Sequence, residues 1–358
     1  MNRCAVVVSA HGFGHAARAT AVADSLLERR SDLRFEILTG VPSWFFASDV
    51  AGLRVHPADV DVGLVQETPL EADLDATAVH LDRLYGHAEP LERIVRQISE
   101  LRCTAVVCDI SPLGLLAAQR LGLPSALVEN FTWDWIYEPY LETHPALGRH
   151  LSVLRDAVSN ATVRVQTRPV CRSSPGSFEV APVARRRLTA PATVRRRLGV
   201  GDEAPLVLLS MGGVGWRTRG ADRLAAAPFH VVAPGSGDRE LRRGRLLLLP
   251  HRSRYHHPDL VAAADLVVGK LGYSTVAEAT AAGTRFLYVE RPGFRESPVL
   301  EEFVQGQLTA AKIPIDALAD GSWIDAAQRL LGTARRAPAD AARGAAEAAR
   351  HIDDRLLH

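Results

Sequence analysis

The sequence predicts an α/β protein of two Rossmann-like domains, and three patterns lead to this prediction. Buried-strand runs alternate with segments whose apolar residues recur at helical spacing. Each half of the chain shows this alternation, and in each half a glycine-containing turn follows the first strand. A Pro- and Arg-rich segment at 181–201 separates the halves. We therefore expect domains at 1–182 and 183–358 that face each other across a cleft, with a last helix that either stays in the second domain or returns to the first.

Composition places the chain among ordinary globular proteins. Its 358 residues are enough for two separate cores, with 47% apolar residues, 23% charged residues and a formal net charge of +1. This charge does not point to nucleic acid or to a membrane surface. No apolar run reaches the ~20 residues that span a bilayer, and the four cysteines lack the spacing of a zinc site. A cytoplasmic protein without a bound metal is expected.

The expected elements follow the chain. In the N-terminal half we expect strands at 4–8, 35–39, 105–107 and 126–128, and helices at 16–29, 77–100 and 113–121. In the C-terminal half we expect strands at 206–209, 230–233, 246–249, 265–268 and 285–289, and helices at 258–264, up to 282 and at 337–356. Arginine runs at 185–187 and 195–197 are interpreted as solvated charge, with phosphate contact as the alternative.

The first glycine turn carries two histidines, His11 and His15. They stand at the carboxyl end of a strand and at the positive end of a helix, which is where open α/β sheets bind ligands. Gly12 and Gly14 allow a ligand to come close to the backbone. The turn is not a dinucleotide fingerprint, because Ala17 stands where a third glycine is needed. A tight turn with two partly exposed histidines is the alternative interpretation.

Residues 130–140 interrupt the α/β pattern with a cluster of aromatic side chains. The five aromatics are Phe131, Trp133, Trp135, Tyr137 and Tyr140. They stand beside polar residues at the expected carboxyl end of a strand, which favours the wall of a binding site. Packing in the core is the alternative.

Four motifs together resemble the GT-B glycosyltransferases related to MurG, and more closely the N-terminal, glycosyltransferase-like half of plant L-arabinokinases. In chain order they are the residues 11–15, 109–112, 130–137 and 269–278. The resemblance covers nearly the whole chain and implies the GT-B fold. The kinase half of the arabinokinases has no counterpart in these residues, so sugar kinase activity is not implied.

The resemblance implies a nucleoside-diphosphate-sugar donor on the C-terminal domain. Glu278 matches the family's acidic residue that holds the ribose hydroxyls, and a carboxylate accepts two vicinal hydroxyl bonds well. Thr275 and Glu278 also have the spacing of a capping box, which is the structural alternative.

The same resemblance places other donor contacts in the C-terminal half. Lys270 and the loop at Gly212 and Gly213 match diphosphate contacts, and Glu296 matches the position that binds the sugar hydroxyls. Here Glu296 is followed by serine, where the MurG-like group often has glutamine, so the donor sugar stays open. The other expected donor-site residues are His251, Gly272, Tyr273, Ser274 and Thr275.

His15 aligns with the family histidine that serves as the base in an inverting transfer. Asp109, at the end of a neighbouring strand, is expected within ~3.2 Å of it as the partner that orients the imidazole. His11 competes for the role of base, since the arabinokinase-like proteins share it and the MurG-like proteins do not. The expected acceptor-binding residues are Phe13, Asn130, Trp133, Asp134, Trp135 and Tyr137.

The sequence thus predicts a metal- and cofactor-independent glycosyltransferase that moves a sugar from a nucleoside-diphosphate sugar to a hydroxyl of a small-molecule acceptor. No nucleic-acid partner and no membrane insertion are expected, and no oligomeric state is predicted. A nucleotide-sugar hydrolase on the same fold is one alternative. A non-catalytic nucleotide-sugar-binding protein is the other.

Overall fold

The computed structural model describes residues 2–46, 52–213, 215–216, 218–340 and 343–357. By their internal contacts the described residues divide into two compact units. The first unit takes residues from 1–67, 72–183 and 342–358, and the second takes residues from 68–71 and 184–341. Each unit contains a seven-stranded sheet.

The first unit is built on a parallel sheet. Its elements, in chain order, are β1 Asn2–Val8, α1 Phe13–Arg29, β2 Leu33–Thr39, β3 Leu53–Pro57, β4 Val65–Thr68, β5 Glu71–Asp73, α2 Leu74–Tyr85, α3 Ala88–Glu100, β6 Ala105–Asp109, α4 Pro112–Leu121, β7 Ser125–Glu129, α5 Trp133–Tyr137, α6 Leu151–Ser159, β8 Val163–Thr167 and β9 Phe178–Val180. Strands β4 and β5 form a separate two-stranded sheet. The large sheet has the order β3-β2-β1-β6-β7-β8-β9, with every pair parallel.

The strand order of the first unit positions its candidate site. Successive strands are added outward from β1 on one side and from β6 on the other, so the order of strand addition reverses between these two parallel strands. In open α/β sheets the carboxyl ends of the strands at such a switch point border a crevice where ligands bind. β1 ends at Val8 and β6 ends at Asp109, so both expected histidines and their expected carboxylate partner come to this edge.

The second unit repeats the plan. Its elements are α7 Pro191–Arg197, β10 Leu206–Ser210, α8 Ala221–Ala225, β11 His230–Pro234, β12 Leu241–Arg243, β13 Leu246–Leu249, α9 His257–Ala263, β14 Leu266–Lys270, α10 Tyr273–Ala282, β15 Arg285–Val289, α11 Ser297–Gln307, β16 Ala310–Lys312, α12 Ile315–Asp320 and α13 Ile324–Leu331. The sheet order is β12-β13-β11-β10-β14-β15-β16, and only β12 runs antiparallel to its neighbour. The order of strand addition reverses between the parallel strands β10 and β14. The glycine loop follows β10, and Lys270 is the last residue of β14.

The final helix, Arg343–Leu356, belongs to the first unit. One side of it is apolar, and it packs against α1, β8 and β9. Its buried apolar residues are Ala345, Ala348, Ala349, Ile352 and Leu356. They join the same core cluster as Val6 and Leu26, so the last helix returns to the first unit, which is the second of the two placements expected from the sequence.

One expected element is wrong. The single helix expected at 77–100 is two helices, α2 and α3, and α2 ends at Tyr85 with Gly86 as its C-cap. Pro90 gives the physical reason. In an unbroken helix its missing N–H would leave the carbonyl of Gly86 without a donor, and its ring would clash with that carbonyl. The α/β class with two parallel sheets is as predicted, and no helix of the described residues is long and apolar enough to cross a membrane.

Candidate functional site

The expected pair of His15 and Asp109 is in contact. His15 is the third residue of α1 and Asp109 is the last residue of β6. Nδ1 of His15 lies 3.0 Å from Oδ1 of Asp109, and the two residues are 9% and 1% exposed. A carboxylate at Nδ1 selects the tautomer with the proton there, which leaves the lone pair on Nε2 free to accept a proton.

Arg18, one helical turn after His15, was missed in the sequence and completes the pair. Its Nε donates to Oδ2 of Asp109 at 2.8 Å and its Nη2 donates to Oδ1 at 2.7 Å. Burial raises the pKa of Asp109, but the charge and hydrogen bonds of Arg18, with the contact to His15, outweigh burial, and the pKa lies below its ordinary value. Asp109 is therefore ionised at neutral pH although it is buried.

Asn130 supports Arg18. The Nη1 of Arg18 donates to the side-chain oxygen of Asn130 and, at 3.3 Å, to the hydroxyl of Thr167. The Asn130 amide nitrogen donates to the carbonyl of Thr167 at 2.5 Å and to its hydroxyl at 2.8 Å. These hydrogen bonds give Asn130 a structural part beside Arg18, and its expected contact with an acceptor stays a prediction.

The residue after Asp109 has an unusual backbone. Ile110 has φ +58°, a left-handed conformation that a β-branched side chain rarely adopts. Its N–H donates to the carbonyl of Val128 at 3.2 Å, and the next residue, Ser111, accepts from the N–H of Gly114 as the cap of α4. Strain of this kind costs on the order of 1–3 kcal/mol and persists only where the surroundings hold it. Here it turns the chain sharply between Asp109 and the helix cap.

His11, the other candidate base, stands just before Gly12 in the same glycine turn, four residues before His15. Gly63 has φ +67°, and a Cβ built there would stand 2.6 Å from Cβ and Cγ of His11, so only glycine allows this packing. The Nε2 of His11 lies 3.4 Å from Nε2 of Gln66. The ring centroids of His11 and His15 are 6.4 Å apart. Because Asp109 contacts His15, the geometry favours His15 over His11 as a base.

Trp133 packs against both histidines. Its ring centroid lies 5.3 Å from that of His11 and 6.2 Å from that of His15. The ring of Tyr137 stacks on that of Trp133 with the two centroids 6.0 Å apart, and both residues are buried. The Tyr137 hydroxyl donates to the carbonyl of Gly63. Trp133 thus borders the histidines, whereas Tyr137 packs in the core, which is the alternative given for the aromatic residues in the sequence analysis.

Two expected acceptor residues are placed elsewhere. The carboxylate of Asp134 is buried and pairs with Arg172 at 3.1 Å and with Arg155 at 3.4 Å. Trp135 is also buried. Phe13 remains half-buried at the start of α1 and contacts the rings of Trp44 and Phe45. Of the expected acceptor residues, Phe13 and Trp133 therefore keep the contacts best suited to that role.

The glycine loop of the second unit closes against Lys270. Gly212 has φ +72°, and a Cβ built there would lie 3.3 Å from Cε of Lys270, while Gly213 follows directly. Burial and, to a smaller extent, the nearby charge of Arg291 lower the pKa of Lys270 to about 7, against the opposite effect of Glu296. Within the described residues, the Lys270 ammonium has no carboxylate at ion-pair distance. Two neighbours in the loop, 214 and 217, lie outside the described residues.

His251 packs against two further glycines. A Cβ on Gly235, whose φ is +72°, would lie 2.7 Å from Cε1 of His251, and one on Gly215 would lie 3.5 Å from Nε2. These glycines follow β11 and β10. The expected donor residues thus come to one edge of the sheet, after β10, β13 and β14.

Glu278 is held by two residues that the sequence analysis missed. His257 approaches with Nδ1 at 2.6 Å from Oε2, and Arg185 donates to Oε1 at 3.2 Å. Burial raises the pKa of Glu278, but Arg185 and His257 outweigh burial and the pKa is lowered. The Nε2 of His257 lies 2.9 Å from the hydroxyl of Ser210 at the end of β10. Arg185 is therefore not part of a solvated run.

The capping-box alternative for Glu278 is wrong. Helix α10 begins at Tyr273 with Gly272 as its N-cap, so Thr275 stands inside the first turn and does not cap the helix. Gly272, Tyr273 and Ser274 are half-buried in the turn after Lys270, and Thr275 is buried.

Glu296 forms a second buried acidic position, immediately before α11. It accepts from Nη2 of Arg291 at 2.5 Å, and the Arg291 guanidinium lies 3.5 Å above the ring of Phe294. The other carboxylate oxygen, Oε2, is buried and has no hydrogen-bond donor among the described residues. A buried carboxylate oxygen without a donor is costly unless a ligand or water supplies one.

No protein-family model matches the chain. The chain is 28% identical over 338 residues to the L-arabinokinase of Arabidopsis thaliana, which covers 91% of this chain and 32% of that protein. It is 24% identical over 257 residues to an uncharacterized glycosyltransferase of Methanopyrus kandleri, which covers 70% of this chain and 74% of that protein. The chain thus spans about a third of the length of the arabinokinase. The resemblance to L-arabinokinase is confirmed, and the relation to MurG stays a prediction.

Solved glycosyltransferases share the architecture over nearly the full chain. The calicheamicin glycosyltransferase CalG4 matches with a TM-score of 0.60 and 17% identity, over 99% of this chain and 94% of that chain. The glycosyltransferase of kitacinnamycin matches with a TM-score of 0.66 and 17% identity, over 99% of both chains. The spinosyn forosaminyltransferase SpnP matches with a TM-score of 0.61 and 15% identity, over 99% of this chain and 95% of that chain. The chain therefore has the GT-B fold of glycosyltransferases.

Proposed function

We propose that the protein is a glycosyltransferase that moves a sugar from a nucleoside-diphosphate sugar to a hydroxyl group of a small-molecule acceptor, with inversion at the anomeric carbon. The observation that carries this proposal is the contact of His15 with Asp109, held by Arg18. A base oriented by an ionised carboxylate is the group that such a transfer requires.

In this mechanism Nε2 of His15 accepts the proton of the acceptor hydroxyl, while the oxygen of that hydroxyl forms a bond to the anomeric carbon of the donor sugar. The bond from that carbon to the diphosphate oxygen breaks, and the nucleoside diphosphate leaves with the electron pair. Asp109 accepts from Nδ1–H and stabilises the imidazolium that forms. A single displacement from the opposite face inverts the anomeric centre.

The second unit supplies the donor contacts in this proposal. Lys270 and the N–H groups of Gly212 and Gly213 would hold the diphosphate, since an ammonium without a carboxylate partner suits an anion. His251 adds a donor at the same edge. The unpaired oxygen of Glu296 is suited to accept from a sugar hydroxyl.

Glu278 is proposed as the contact for the ribose hydroxyls, on the strength of the family resemblance. Both of its oxygens are already engaged, and the longer of the two contacts is the one with Arg185. A ribose diol would therefore take the place of Arg185 on Oε1, while His257 keeps Oε2.

The test is a thermal-shift screen with nucleosides, nucleoside diphosphates and nucleotide sugars, followed by an assay for nucleoside-diphosphate release with and without candidate hydroxyl acceptors. The diphosphates are expected to raise Tm more than the matching nucleosides, since ligands that bind the native state stabilise it. Release that depends on the acceptor supports the transfer. Equal release without acceptor would identify a hydrolase, and binding without release would identify a non-catalytic protein.

A further inference from the structure

The segment that follows β3, residues 58–64, has no regular structure and attaches to the ends of three strands. Ser111, just after β6, donates its hydroxyl proton to the carbonyl of Val60 at 2.7 Å. Tyr137, after β7, donates to the carbonyl of Gly63 at 2.7 Å. His11, after β1, packs against the same glycine. The segment therefore forms part of the same sheet edge as the candidate base.

Asp61 is the polar centre of this segment. Its Oδ2 accepts from the indole N–H of Trp133 at 2.6 Å, and its Oδ1 accepts from the N–H of Val62 at 2.9 Å. The nearby hydroxyl of Ser9, which follows β1, also lowers the pKa of this carboxylate. Two donors thus converge on one side chain that neither the family resemblance nor the sequence motifs assign.

The bond to Trp133 connects Asp61 with both histidines. Packing already restricts the buried Trp133 ring, and the hydrogen bond from Nε1 to Asp61 adds a directional contact that fixes which edge of the indole faces the carboxylate. Trp133 packs edge-on against His11, with an interplanar angle of 87°, and at 56° against His15. Asp109 fixes the Nδ1 side of His15, and the anchored indole borders the ring from another direction.

We propose that Asp61 is a positioning residue for the base of the first unit: its carboxylate anchors the indole of Trp133, and the anchored indole sets the orientation of His15. In its effect on turnover this inference rests on the proposed transferase function. Its structural part, the coupling of Asp61 to Trp133 and to His15, can be measured without any substrate.

The charge of Asp61 adds a pH dependence. Burial raises the pKa of Asp61 to about 7, against the lowering effects of the Ser9 hydroxyl and of the hydrogen bond from Trp133. The ionisable groups around it are Asp59 of the same segment, Tyr85 of α2, Cys108 of β6, Tyr137 of α5 and His11 against Gly63. An ionised acceptor makes the shorter and stronger hydrogen bond, so the bond to Trp133 strengthens as the pH rises through neutrality.

The substrate-free experiment follows the indole N–H resonances of 15N-tryptophan-labelled protein across the pH range, and Trp133→Phe assigns the Trp133 signal. In the wild type we expect the Trp133 resonance to titrate with a midpoint near 7. Asp61→Asn should abolish this titration while the signal stays downfield, since the amide oxygen still accepts. Asp59→Asn removes an exposed charge two residues away that raises the pKa of Asp61, so it should keep the titration and move its midpoint to lower pH. A Trp133 signal that is unchanged in both Asp61→Asn and Asp61→Leu overturns the inference.

The kinetic experiment separates positioning from a general structural role. Asp61→Leu should lower kcat roughly 10- to 100-fold with the KM for the donor unchanged, the range for losing a hydrogen bond to a charged group. Trp133→Phe should give a similar loss, and the double variant should lose no more than either, because both break one bond. Asp61→Asn should keep kcat within about threefold, which rescues the positioning.

The outcomes are distinguishable from failure of the proposed function. Wild-type kcat in Asp61→Leu, or losses of Asp61→Leu and Trp133→Phe that multiply in the double variant, would overturn the inference while the transferase function stands. If the wild type shows no turnover with any donor, the proposed function fails. A Trp133 signal that changes in Asp61→Leu would then still support the anchor, and a signal that stays unchanged in both Asp61 variants would overturn it.

Discussion

Arg18 illustrates how one buried cation changes the behaviour of a carboxylate and a histidine. Asp109 lies in the interior, where an isolated carboxylate would take up a proton. Two hydrogen bonds from Arg18 keep it ionised, and so it remains an acceptor for Nδ1 of His15. The cost is that Arg18 and Asp109 depend on each other, because either charge alone would be buried without compensation.

The first prediction concerns this pair. His15→Ala should lower kcat by ~10²–10⁴-fold with donor binding intact, the range for loss of a general base. Asp109→Asn should lose part of that rate, and the double variant should lose little more than His15→Ala, since coupled residues are not additive. Steady-state kinetics and donor calorimetry check this.

Asp109→Asn also removes the carboxylate charge that accepts two hydrogen bonds from Arg18, so the free energy of unfolding should fall by ~3–5 kcal/mol, and the kinetics of this variant must be measured well below its Tm. His11→Ala is the rival variant. If His11→Ala abolishes turnover and His15→Ala keeps most of it, the base is His11.

The second prediction concerns Lys270. With its pKa lowered to about 7, the ammonium of the free protein gains its charge as the pH falls through neutrality. Affinity for a nucleoside diphosphate should therefore rise between about pH 8 and about pH 6, while affinity for the nucleoside should not. Lys270→Arg, which stays charged, should lose this pH dependence, and Lys270→Met should lose diphosphate affinity at both pH values.

Lys312→Met is the matched control. Lys312, at the end of β16, is the other lysine of the chain and pairs with Glu290 and Glu301. Calorimetry at the two pH values is the measurement. Equal losses for nucleoside and diphosphate in Lys270→Met would remove Lys270 from a diphosphate site.

At this scale the sequence predicted His15 and Asp109 and their contact, because strand ends at a switch point meet at one edge. It did not predict Arg18, since an arginine in the first turns of a helix looks like solvated charge until its partners are known. It also missed Asp61, which lies in a segment without regular structure. His257 escaped because its partner Glu278 is 21 residues further along.

At the scale of elements, the glycine turns decide how closely side chains approach the backbone. Gly212 packs against Lys270 and Gly63 packs against His11, and both glycines have a positive φ. A Cβ would lie 3.3 Å from Cε of Lys270 in the first case and 2.6 Å from Cβ of His11 in the second, both closer than ordinary van der Waals contact. The alternation of strands and helices was predictable because fully buried parallel strands are read as continuous apolar runs. The break between α2 and α3 follows from Pro90. The prediction missed it because it relied on the helical spacing of apolar residues and gave the proline no weight.

The third prediction tests the glycine loop. Gly212→Ala should weaken nucleoside-diphosphate binding more than nucleoside binding, because the new methyl group meets Cε of Lys270 at 3.3 Å. Gly122→Ala is matched in backbone, since Gly122 also has a positive φ of 66° but no atom within 4 Å of a Cβ. Both variants should lose ~1–2 kcal/mol of stability from the left-handed conformation. Only Gly212→Ala should change the difference between the two ligands in calorimetry, and the same change in Gly122→Ala would contradict the assignment.

At the scale of the whole molecule, the chain enters the first unit, leaves it for the second and returns with its last helix. The sequence left this return open, because an amphipathic helix fits any apolar surface of suitable shape. Ile352 decides it in the structure, fully buried among residues of the first unit.

The fourth prediction follows from this return. Ile352→Ala should lower the free energy of unfolding by ~2–5 kcal/mol, the cost of a large-to-small change in a core. The loss should affect the unfolding of the first unit, while nucleotide affinity of the second unit stays near that of the wild type. Arg350→Ala, on the exposed side of the same helix, should change stability little. Calorimetric unfolding scans with and without nucleotide compare the three proteins, and a loss confined to the nucleotide-stabilised transition would contradict the placement.

The return of the last helix also sets an order of events on the ribosome. The second unit, from residue 184 onwards, is complete in sequence before residues 343–357 have been synthesised. The core of the first unit includes those last residues, although its sheet is made first. During translation the sheet, which is made earlier, stays with part of its apolar surface uncovered until residues 343–357 have left the exit tunnel. A nascent chain halted between these points would therefore expose the surface that the last helix covers, which makes it a natural binding place for chaperones that recognise apolar segments.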